Sequence, residues 1–395
     1  MRLRSQTTAQ VDSPISTAYA LLDQSARDGD LLDLAQAAPQ YPPSPVVSEH
    51  VADLVRAGAG SEYTEVPGLP RLRDAVASEL STAYAGRVAA ENVVITAGCN
   101  QAFAMVASAL AGAGDEVVLA LPYYFNHDMW LRMNGVAPVY LEPDADLVPR
   151  AADAEPLITV RTRAIVIVTP GNPTGVTMPP AEIAAFAELA DRHGIALVVD
   201  ETYRSFRDCD QPAHDLFADP AWTRTVVSLH SFSKDLAIPG YRVGAVVGSV
   251  ELNRETCKLL DCVAVCAPRV GQEAAWAGLT GAGRWRAERV RELARRRGWL
   301  RAAMAERPGG FELLSCGGFF GWIAHPFEGV PTADVVRALV RDHGVLVVPG
   351  TAFLPDDRRT LRVSVGNADR SGIAELATRL RAMGSTLTTR PATTQ

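Results

Sequence analysis

One lysine stands out because no other side chain nearby could do its chemistry. Only two of the 395 residues are lysines, Lys234 and Lys258, and the other side chains that are cationic at pH 7 are arginines. An arginine stays charged and cannot form an imine, whereas a lysine amine can lose its proton and act as a nucleophile. Lys234 follows an apolar run within VVSLHSFSKDLAIPGYRVG, residues 226–244. This context predicts a covalent role for Lys234, with a solvated surface lysine as the alternative.

The residues around Lys234 are of the types that hold a phosphate. Ser231 and Ser233 precede the lysine and Arg242 follows it. Hydroxyl groups donate hydrogen bonds, and an arginine fork matches phosphate oxygens. An amine beside a phosphate site suggests pyridoxal 5'-phosphate (PLP), which is held by its phosphate and by an imine to a lysine.

The lysine segment resembles that of a known family. SFSK followed by GYRVG is similar to the corresponding segment of the fold-type I, class I/II aminotransferases, the aspartate aminotransferase superfamily, and further motifs follow in the family's order over residues 32–383. The resemblance implies an aminotransferase that moves an amino group between an amino acid and a 2-oxo acid. In it Lys234 would form a Schiff base with the cofactor and then act as general base and acid.

Asp200 is the candidate partner of the cofactor's pyridine nitrogen. It ends an apolar run in VVDETYRSF, residues 198–206, and a buried carboxylate is costly unless it is paired. A protonated pyridine would let the ring accept electrons from the substrate α-carbon. Tyr203 could hydrogen-bond the phenolic oxygen of the ring. A helix cap is the alternative for Asp200, but the Asp-x-x-Tyr spacing, in the family order, favours the cofactor interpretation.

Two further segments are candidates for holding the phosphate and the ring. In ITAGCNQA, residues 95–102, a predicted strand ends and a helix begins, and backbone N–H groups at a helix N-terminus bind phosphate. The resemblance assigns this contact to Gly98, Cys99 and Asn100, with an ordinary strand-to-helix turn as the alternative. In LPYYFNHDMW the resemblance selects Tyr124 to stack on the pyridine ring.

The resemblance also implies the residues that bind the substrate carboxylate. Asn172, in VTPGNPTGV, would reach the phenolic oxygen of the cofactor and the carboxylate. Arg362, in TLRVSVGN, would hold the carboxylate with its fork of donors. Ala37, where the family usually has glycine, would offer its backbone N–H, although its methyl group narrows the approach.

Tyr63 carries the prediction of a homodimer with active sites at the interface. It lies in SEYTEVPGLPRLRDAV, residues 61–76, and the resemblance implies that it crosses the interface to touch the neighbour's cofactor phosphate. Tyr19, Tyr41 and Phe319 could join Tyr63 in lining a pocket for an apolar or aromatic substrate side chain. Core packing is the alternative for these aromatic residues.

The elements that must position these residues alternate between helical patterns and short apolar runs. Strands are predicted at 93–97, 116–121, 164–169, 196–200, 226–229 and 245–247, and a helix at 180–193. Such alternation predicts an α/β fold with a mainly parallel central sheet flanked by helices. Ligands in such sheets bind beyond the carboxyl ends of the strands, where most candidate residues lie.

The pattern changes after about residue 253 and predicts a smaller α+β domain. Strands are predicted at 311–315, 321–324 and 345–348, with helices at 284–307, 332–343 and 371–383 and an N-terminal helix at 15–27. We therefore expect a large PLP-binding domain at 47–275, and a small domain formed by 1–46 and 276–395.

Composition limits the cellular compartments and the binding partners that we expect for this protein. The net charge is −7, which argues against nucleic acid or an anionic membrane as partner. The longest apolar run, 102–114, is too short to span a bilayer, and the N-terminus lacks the apolar region of a signal peptide. The six cysteines form no C-x-x-C pair, so we expect buried thiols, no metal site and a cytoplasmic location.

Two other functions use the same constellation of residues. One is a biosynthetic enzyme that uses PLP for elimination, cyclisation or oxidation of an amino acid. The other is a PLP-sensing regulator, which would need a DNA-binding module, and no basic helix-turn-helix precedes residue 30.

Overall fold

The computed structural model describes residues 1–22, 31–209 and 211–387, which fall into two compact units. The first unit comprises Met1–Gln10, Tyr41–Pro170 and Thr177–Val290. The described residues of 11–40, 171–176 and 291–395 form the second. The division into domains 47–275 and 1–46 with 276–395 stays a prediction.

The strands and helices follow each other along the chain in an order typical of α/β proteins. The strands of the described residues are β1 (Leu32–Asp33), β2 (Val93–Thr96), β3 (Glu116–Ala120), β4 (Ala137–Leu141), β5 (Thr162–Val168), β6 (Ala196–Asp200), β7 (Val226–Ser231), β8 (Gly244–Val247), β9 (Glu312–Gly317), β10 (Phe320–Ala324), β11 (Val345–Leu346), β12 (Val348–Pro349) and β13 (Thr360–Ser364). The helices are α1 (Ser5–Thr8), α2 (Pro14–Ala20), α3 (Pro45–Arg56), α4 (Pro70–Ala83), α5 (Cys99–Leu110), α6 (Phe125–Met133), α7 (Ala151–Ala154), α8 (Pro180–His193), α9 (Phe232–Asp235), α10 (Val250–Ala264), α11 (Arg269–Gly281), α12 (Gly283–Met304), α13 (Thr332–His343) and α14 (Arg370–Leu387).

The first unit is built on one seven-stranded sheet in the order β2-β8-β7-β6-β5-β3-β4. Strand β8 is antiparallel to both of its neighbours, and the other pairs are parallel. The central strand β6 is buried along its whole length, as its apolar sequence requires when helices cover both faces. The predicted α/β class with a mainly parallel sheet is therefore confirmed.

Apolar side chains from the sheet and from its covering helices form one core in this unit. Leu72 and Val76 of α4, Phe186 of α8, and Ile165 and Val199 of the sheet are all buried within it. Each such side chain contributes about 1.5–3 kcal/mol when it leaves water. This core supports the edge of the sheet where most of the candidate residues of the first unit lie.

The second unit contains a four-stranded antiparallel sheet, β12-β13-β10-β9, and the short parallel pair β1 and β11. The strand predicted at 345–348 is instead two short strands in different sheets. Sequence reasoning missed β13, and it missed β4 of the first unit, where Pro138 and partly exposed residues weaken the strand pattern.

Other predictions differ from the structure at their ends or in burial. The helix predicted at 15–27 ends at Ala20, and its part from residue 23 lies outside the described residues. The expectation of buried thiols holds for Cys99 and Cys266 and is wrong for Cys209 and Cys262, which are exposed. Among the described residues, none of the helices combines the length and hydropathy needed to cross a bilayer.

Candidate active site

One edge of the seven-stranded sheet gathers chain segments that are far apart in sequence. Asp200, at the end of β6, pairs with Leu229 of the parallel strand β7. Because β8 is antiparallel, its first residue, Gly244, lies opposite both Ser231 of β7 and Thr96 of β2. The segments that carry Asp200, Lys234, Arg242 and the start of α5 therefore all leave the sheet at the same edge.

The Asp200 carboxylate is 4% exposed and accepts hydrogen bonds from Thr202, Cys99 and His127. The backbone N–H of Thr202 donates to Oδ1 at 2.9 Å, and the Cys99 thiol lies 3.7 Å from the same oxygen. His127 Nε2 lies 3.3 Å from Oδ2. Burial raises the pKa of Asp200, but the bonds from His127 and Thr202 outweigh it and hold that pKa below its usual value.

His127 is the residue of this site that sequence reasoning missed. It is 2% exposed, its ring stacks on Phe103 with 3.9 Å between centroids, and it meets Tyr124 edge-on at 5.2 Å. These two rings hold the imidazole against Asp200. The only local signal was its position three residues after Tyr124, which places it on the same side of α6.

Cys99, the first residue of α5, has a buried thiol that faces Asp200. Burial, and then the negative charge of Asp200, raise the pKa of the Cys99 thiol well above its usual value. The thiol therefore stays protonated and donates towards the carboxylate. In this structure the Cys99 side chain faces Asp200, so only its backbone remains as the predicted phosphate contact.

The N-terminus of α5 and Arg242 together form a cradle for an anion. Gly98 precedes α5 with φ +87°, and a Cβ built on it would collide with the Arg242 guanidinium. The guanidinium donates to the carbonyl oxygens of Pro239 at 2.8 Å and Ala97 at 3.3 Å. The first N–H groups of a helix, here from Cys99 and Asn100 onward, have no acceptor within the helix. Glycine is therefore required at position 98 for the arginine to lie beside these donors.

Lys234 lies half-buried in the short helix α9, directly after β7. The Ser231 hydroxyl caps this helix by accepting the N–H of Ser233 at 3.3 Å. Asp235, next to the lysine, accepts from Arg286 Nε at 2.9 Å. Since α9 is only one turn long, the cap and this ion pair hold the lysine backbone in place.

The adjacent residues Tyr123 and Tyr124 lie in different surroundings. Tyr124 is half-buried, and its hydroxyl accepts from Asn126 Nδ2 at 2.9 Å. Its neighbour Tyr123 is 9% exposed and stacks on Tyr140, so it belongs to the packed interior. Tyr203 is 4% exposed in the turn after β6. Tyr124 is thus the more accessible of the two adjacent rings.

In the second unit the structure brings Arg362 and Asn172 together. Arg362 Nη1 donates to Asn172 Oδ1 at 2.9 Å, and Nη2 donates to the Ala35 carbonyl. The guanidinium lies 5.0 Å from the ring centroids of both Phe320 and Phe353, which fix its plane. The amide of the asparagine and the two rings therefore orient this buried cation.

The remaining predicted residues are spread over both units. Ala37 is buried in the second unit, where the hydroxyl of Tyr19 donates to Asp33 at 2.5 Å. Phe319 is fully buried, which agrees with core packing. In the first unit Tyr41 packs edge-on against Trp285. Tyr63 is 80% exposed, far more than a core residue would be.

The residues of the first unit fit a bound pyridoxal phosphate. The Gly98–Arg242 cradle and the serines of the lysine segment offer donors of the kind a phosphate needs. The buried, ionised Asp200 offers the negative charge that a protonated pyridine needs. Lys234, in α9, directly follows β7, which is the strand between β6 and β8.

Comparisons with known proteins find a family and relatives that match most of the chain. A model of the family described as "Aminotransferase class I and II" matches residues 29–380. The aromatic aminotransferase ISS1 of Arabidopsis thaliana is 31% identical over 370 residues, which cover 89% of this chain and 89% of that protein. The arginine–pyruvate transaminase AruH of Pseudomonas aeruginosa is 30% identical over 351 residues, 88% of each chain.

A solved structure shows the same fold. The aspartate aminotransferase from Thermus thermophilus with maleate superposes with a TM-score of 0.87 at 24% identity, covering 97% of this chain and 100% of that chain. At this identity the likeness concerns the fold alone.

Proposed function

The chain belongs to the class I and II aminotransferases, and from that premise we propose that it moves an amino group between an amino acid and a 2-oxo acid with pyridoxal 5'-phosphate bound covalently to Lys234. The observation that carries the proposal is the arrangement along one sheet edge. The buried Asp200 carboxylate ends β6, and Lys234 follows β7. The Gly98–Arg242 cradle lies between the end of β2 and the start of β8, and these strands run in the order β2-β8-β7-β6.

The cofactor, when bound, supplies an aldehyde for the amino group and a ring that accepts electrons. Asp200 keeps a negative charge at the ring nitrogen, and His127 and Cys99 orient that carboxylate. The backbone of residues 98–100, with Ser231, Ser233 and Arg242, would bind the phosphate. Tyr124 would hold the ring and Tyr203 would donate to its phenolic oxygen, a contact that the resemblance also assigns to Asn172.

Lys234 and Arg362 act on the substrate. Lys234 Nζ would hold the cofactor, and it would serve as the base for the proton on the α-carbon and then as an acid. The Arg362 fork, with Asn172 and the Ala37 N–H, binds the carboxylate. Two phenyl rings already orient the Arg362 guanidinium, so little conformational entropy is lost when the carboxylate binds.

The proposal includes a homodimer in which Tyr63 reaches the cofactor phosphate of the second copy. Its support is the 80% exposure of that side chain. The division into a large domain, 47–275, and a small domain, 1–46 with 276–395, and the cytoplasmic location are further parts of the proposal.

A product assay tests the reaction. The purified protein with added pyridoxal phosphate is incubated with single amino acids and pyruvate or 2-oxoglutarate, and the new 2-oxo acid, the new amino acid and ammonia are measured. Transamination gives a new amino acid and no ammonia. Release of ammonia, or consumption of oxygen, would replace the proposal with elimination or oxidative chemistry.

A further inference from the structure

Tyr63 points to solvent from a backbone that is held on both sides. Its side chain is 80% exposed. On one side the N–H of Thr64 donates to Cys266 Sγ at 3.5 Å, and on the other Glu62 pairs with Arg269 at 2.5 Å. A large exposed ring on a tethered segment is the form of an interaction surface, because a rigid aromatic loses little entropy when it docks.

One buried amide holds this segment. Gln272, on α11, is fully buried. Its Nε2 donates to Thr64 Oγ1 and to the Ala267 carbonyl, both at 2.9 Å, and its Oε1 accepts the N–H of Leu69 at 2.7 Å. The two donors and the acceptor of the amide are therefore all used. They join both ends of the stretch 64–69 to the first turn of α11.

The packing beneath the segment leaves no room for a side chain at position 68. Gly68 has φ +99°, and a Cβ built there would lie 2.5 Å from the Ile95 side chain and 2.9 Å from Gln272 Oε1. The ion pair between Glu62 and Arg269 is partly exposed and adds little by itself. Gln272 is thus the main polar contact that ties the Tyr63 segment to the core.

We propose that Gln272 is a positioning residue that acts on the neighbouring subunit. By fixing the segment 64–69 it presents Tyr63 to the second copy, and so it strengthens cofactor binding there without touching the cofactor itself. This inference rests on the proposed function, in which Tyr63 contacts the phosphate of the partner's cofactor.

A double-mutant cycle on cofactor affinity is the first test. Tyr63→Phe and Gln272→Leu should each weaken the binding of pyridoxal phosphate to the apoprotein by about tenfold, the effect of one lost hydrogen bond to a charged group. The double variant should bind no more weakly than Tyr63→Phe. Additive losses would overturn the role of Gln272 and leave that of Tyr63 intact.

Mixed dimers decide whether the effect crosses the interface. In a dimer of one Gln272→Leu chain and one Lys234→Ala chain, the only lysine able to hold the cofactor belongs to the Gln272→Leu chain, while its Tyr63 contact comes from the chain with intact Gln272. Covalent cofactor binding in this hybrid should return to wild-type affinity. Affinity as weak as in the Gln272→Leu homodimer would overturn the proposal.

Matched variants separate these outcomes from general damage. Asn253 is another buried amide of the same unit, and it donates to the Glu91 carbonyl at 3.1 Å. Asn253→Ala should give losses that add to those of Tyr63→Phe. If Gln272→Leu does not fold, Gln272→Glu keeps the acceptor for Leu69 and loses the donors, and the same cycle applies. If Tyr63→Phe does not change the affinity for pyridoxal phosphate, or if the protein forms no dimer, the homodimer in the proposed function is overturned as well.

Discussion

The carboxyl group of Asp200 has a lowered pKa although it is buried. Burial raises its pKa, and the donors His127 and Thr202 lower it further than burial raises it. A permanently charged carboxylate at the edge of the sheet is what a protonated pyridine nitrogen requires. At the residue scale, the site therefore depends on donors placed around one buried oxygen pair as much as on the aspartate itself.

The two lysines of the chain offer a matched pair of substitutions. Lys234→Ala should abolish the yellow absorbance of covalently bound cofactor and reduce transamination by at least about 10⁴-fold, because the nucleophile and the proton-transfer group are both lost. Lys258 is exposed and pairs with Glu255 at 2.7 Å, so Lys258→Ala should leave both properties unchanged. A yellow Lys234→Ala protein, checked by absorbance and by reduction with borohydride, would refute the assignment.

Arg362→Lys should show whether the fork of donors is what binds the substrate. The ammonium keeps the charge but cannot bond two oxygens in parallel, so we expect kcat/KM for the amino acid to fall by about 10–100-fold, mainly through KM. The control is Arg341→Lys, at an exposed arginine beside Asp342. A fall in kcat with an unchanged KM would contradict a role in binding the carboxylate.

At the scale of elements, the register of the sheet explains why the candidate residues of the first unit converge. Parallel strands β5, β6 and β7 end at the same edge, and the antiparallel strand β8 begins there. The turn after β7 carries Lys234, and the chain returns through Arg242 into β8. Side chains carried at the ends of rigid strands are positioned more precisely than side chains on loops alone.

Gly98→Ala tests the cradle at the start of α5. The methyl group would force the Arg242 guanidinium away, and the positive φ adds strain of about 1–3 kcal/mol. We expect a marked loss of pyridoxal phosphate affinity, measured by titration of the apoprotein. Gly112→Ala, where a Cβ would meet nothing within 4 Å, should bind the cofactor normally. Equal affinities for the two variants would exclude a phosphate site at Gly98.

At the scale of the whole molecule, a buried polar cluster lies behind the candidate site. Glu201, next to Asp200, accepts from Ser228 Oγ at 2.5 Å and lies 3.3 Å from His214 Nε2. Ser228 also lies 2.9 Å from His230 Nε2. Burial lowers the pKa of His230 to about 4, and the charge of Glu201 opposes this only in part.

This cluster predicts a loss of stability in mild acid. In the unfolded chain His230 binds a proton near pH 6.5, whereas in the folded protein it stays neutral down to about pH 4. The free energy of unfolding is therefore highest above pH 6.5 and decreases as the pH falls from 6.5 to about 4. The lowered pKa of His230 contributes about 1–3 kcal/mol to the free energy of unfolding at neutral pH. His325 of the other unit, whose pKa is also lowered to about 4, acts with the same sign.

Melting curves at a series of pH values test this prediction. His230→Gln can still donate to Ser228 and does not titrate, so the midpoint of unfolding should fall less between pH 7 and about pH 4.5 than in the wild type. His193→Gln, at an exposed histidine beside Glu155, is the control and should follow the wild type. Identical pH profiles for His230→Gln and the wild type would contradict the assignment.

Sequence by itself determined the chemistry and the class of fold. Lys234, Asp200 and Arg242 could be singled out because covalent and phosphate chemistry requires particular side chains at short spacings. The apolar runs predicted the parallel sheet because strands buried on both faces need continuous hydrophobic residues. Strand β13 has a polar residue at its centre and therefore lacks a continuous run of hydrophobic residues.

Only the tertiary structure decided which distant residues support these groups. His127 against Asp200, the phenyl rings around Arg362, and Gln272 beneath the Tyr63 segment all depend on contacts between positions far apart in the chain. Such contacts leave no local pattern, because any residue of suitable size and polarity at the right place in space would serve. The candidate reacting groups could therefore be predicted from the chain, and the groups that orient them became visible only once the chain was folded.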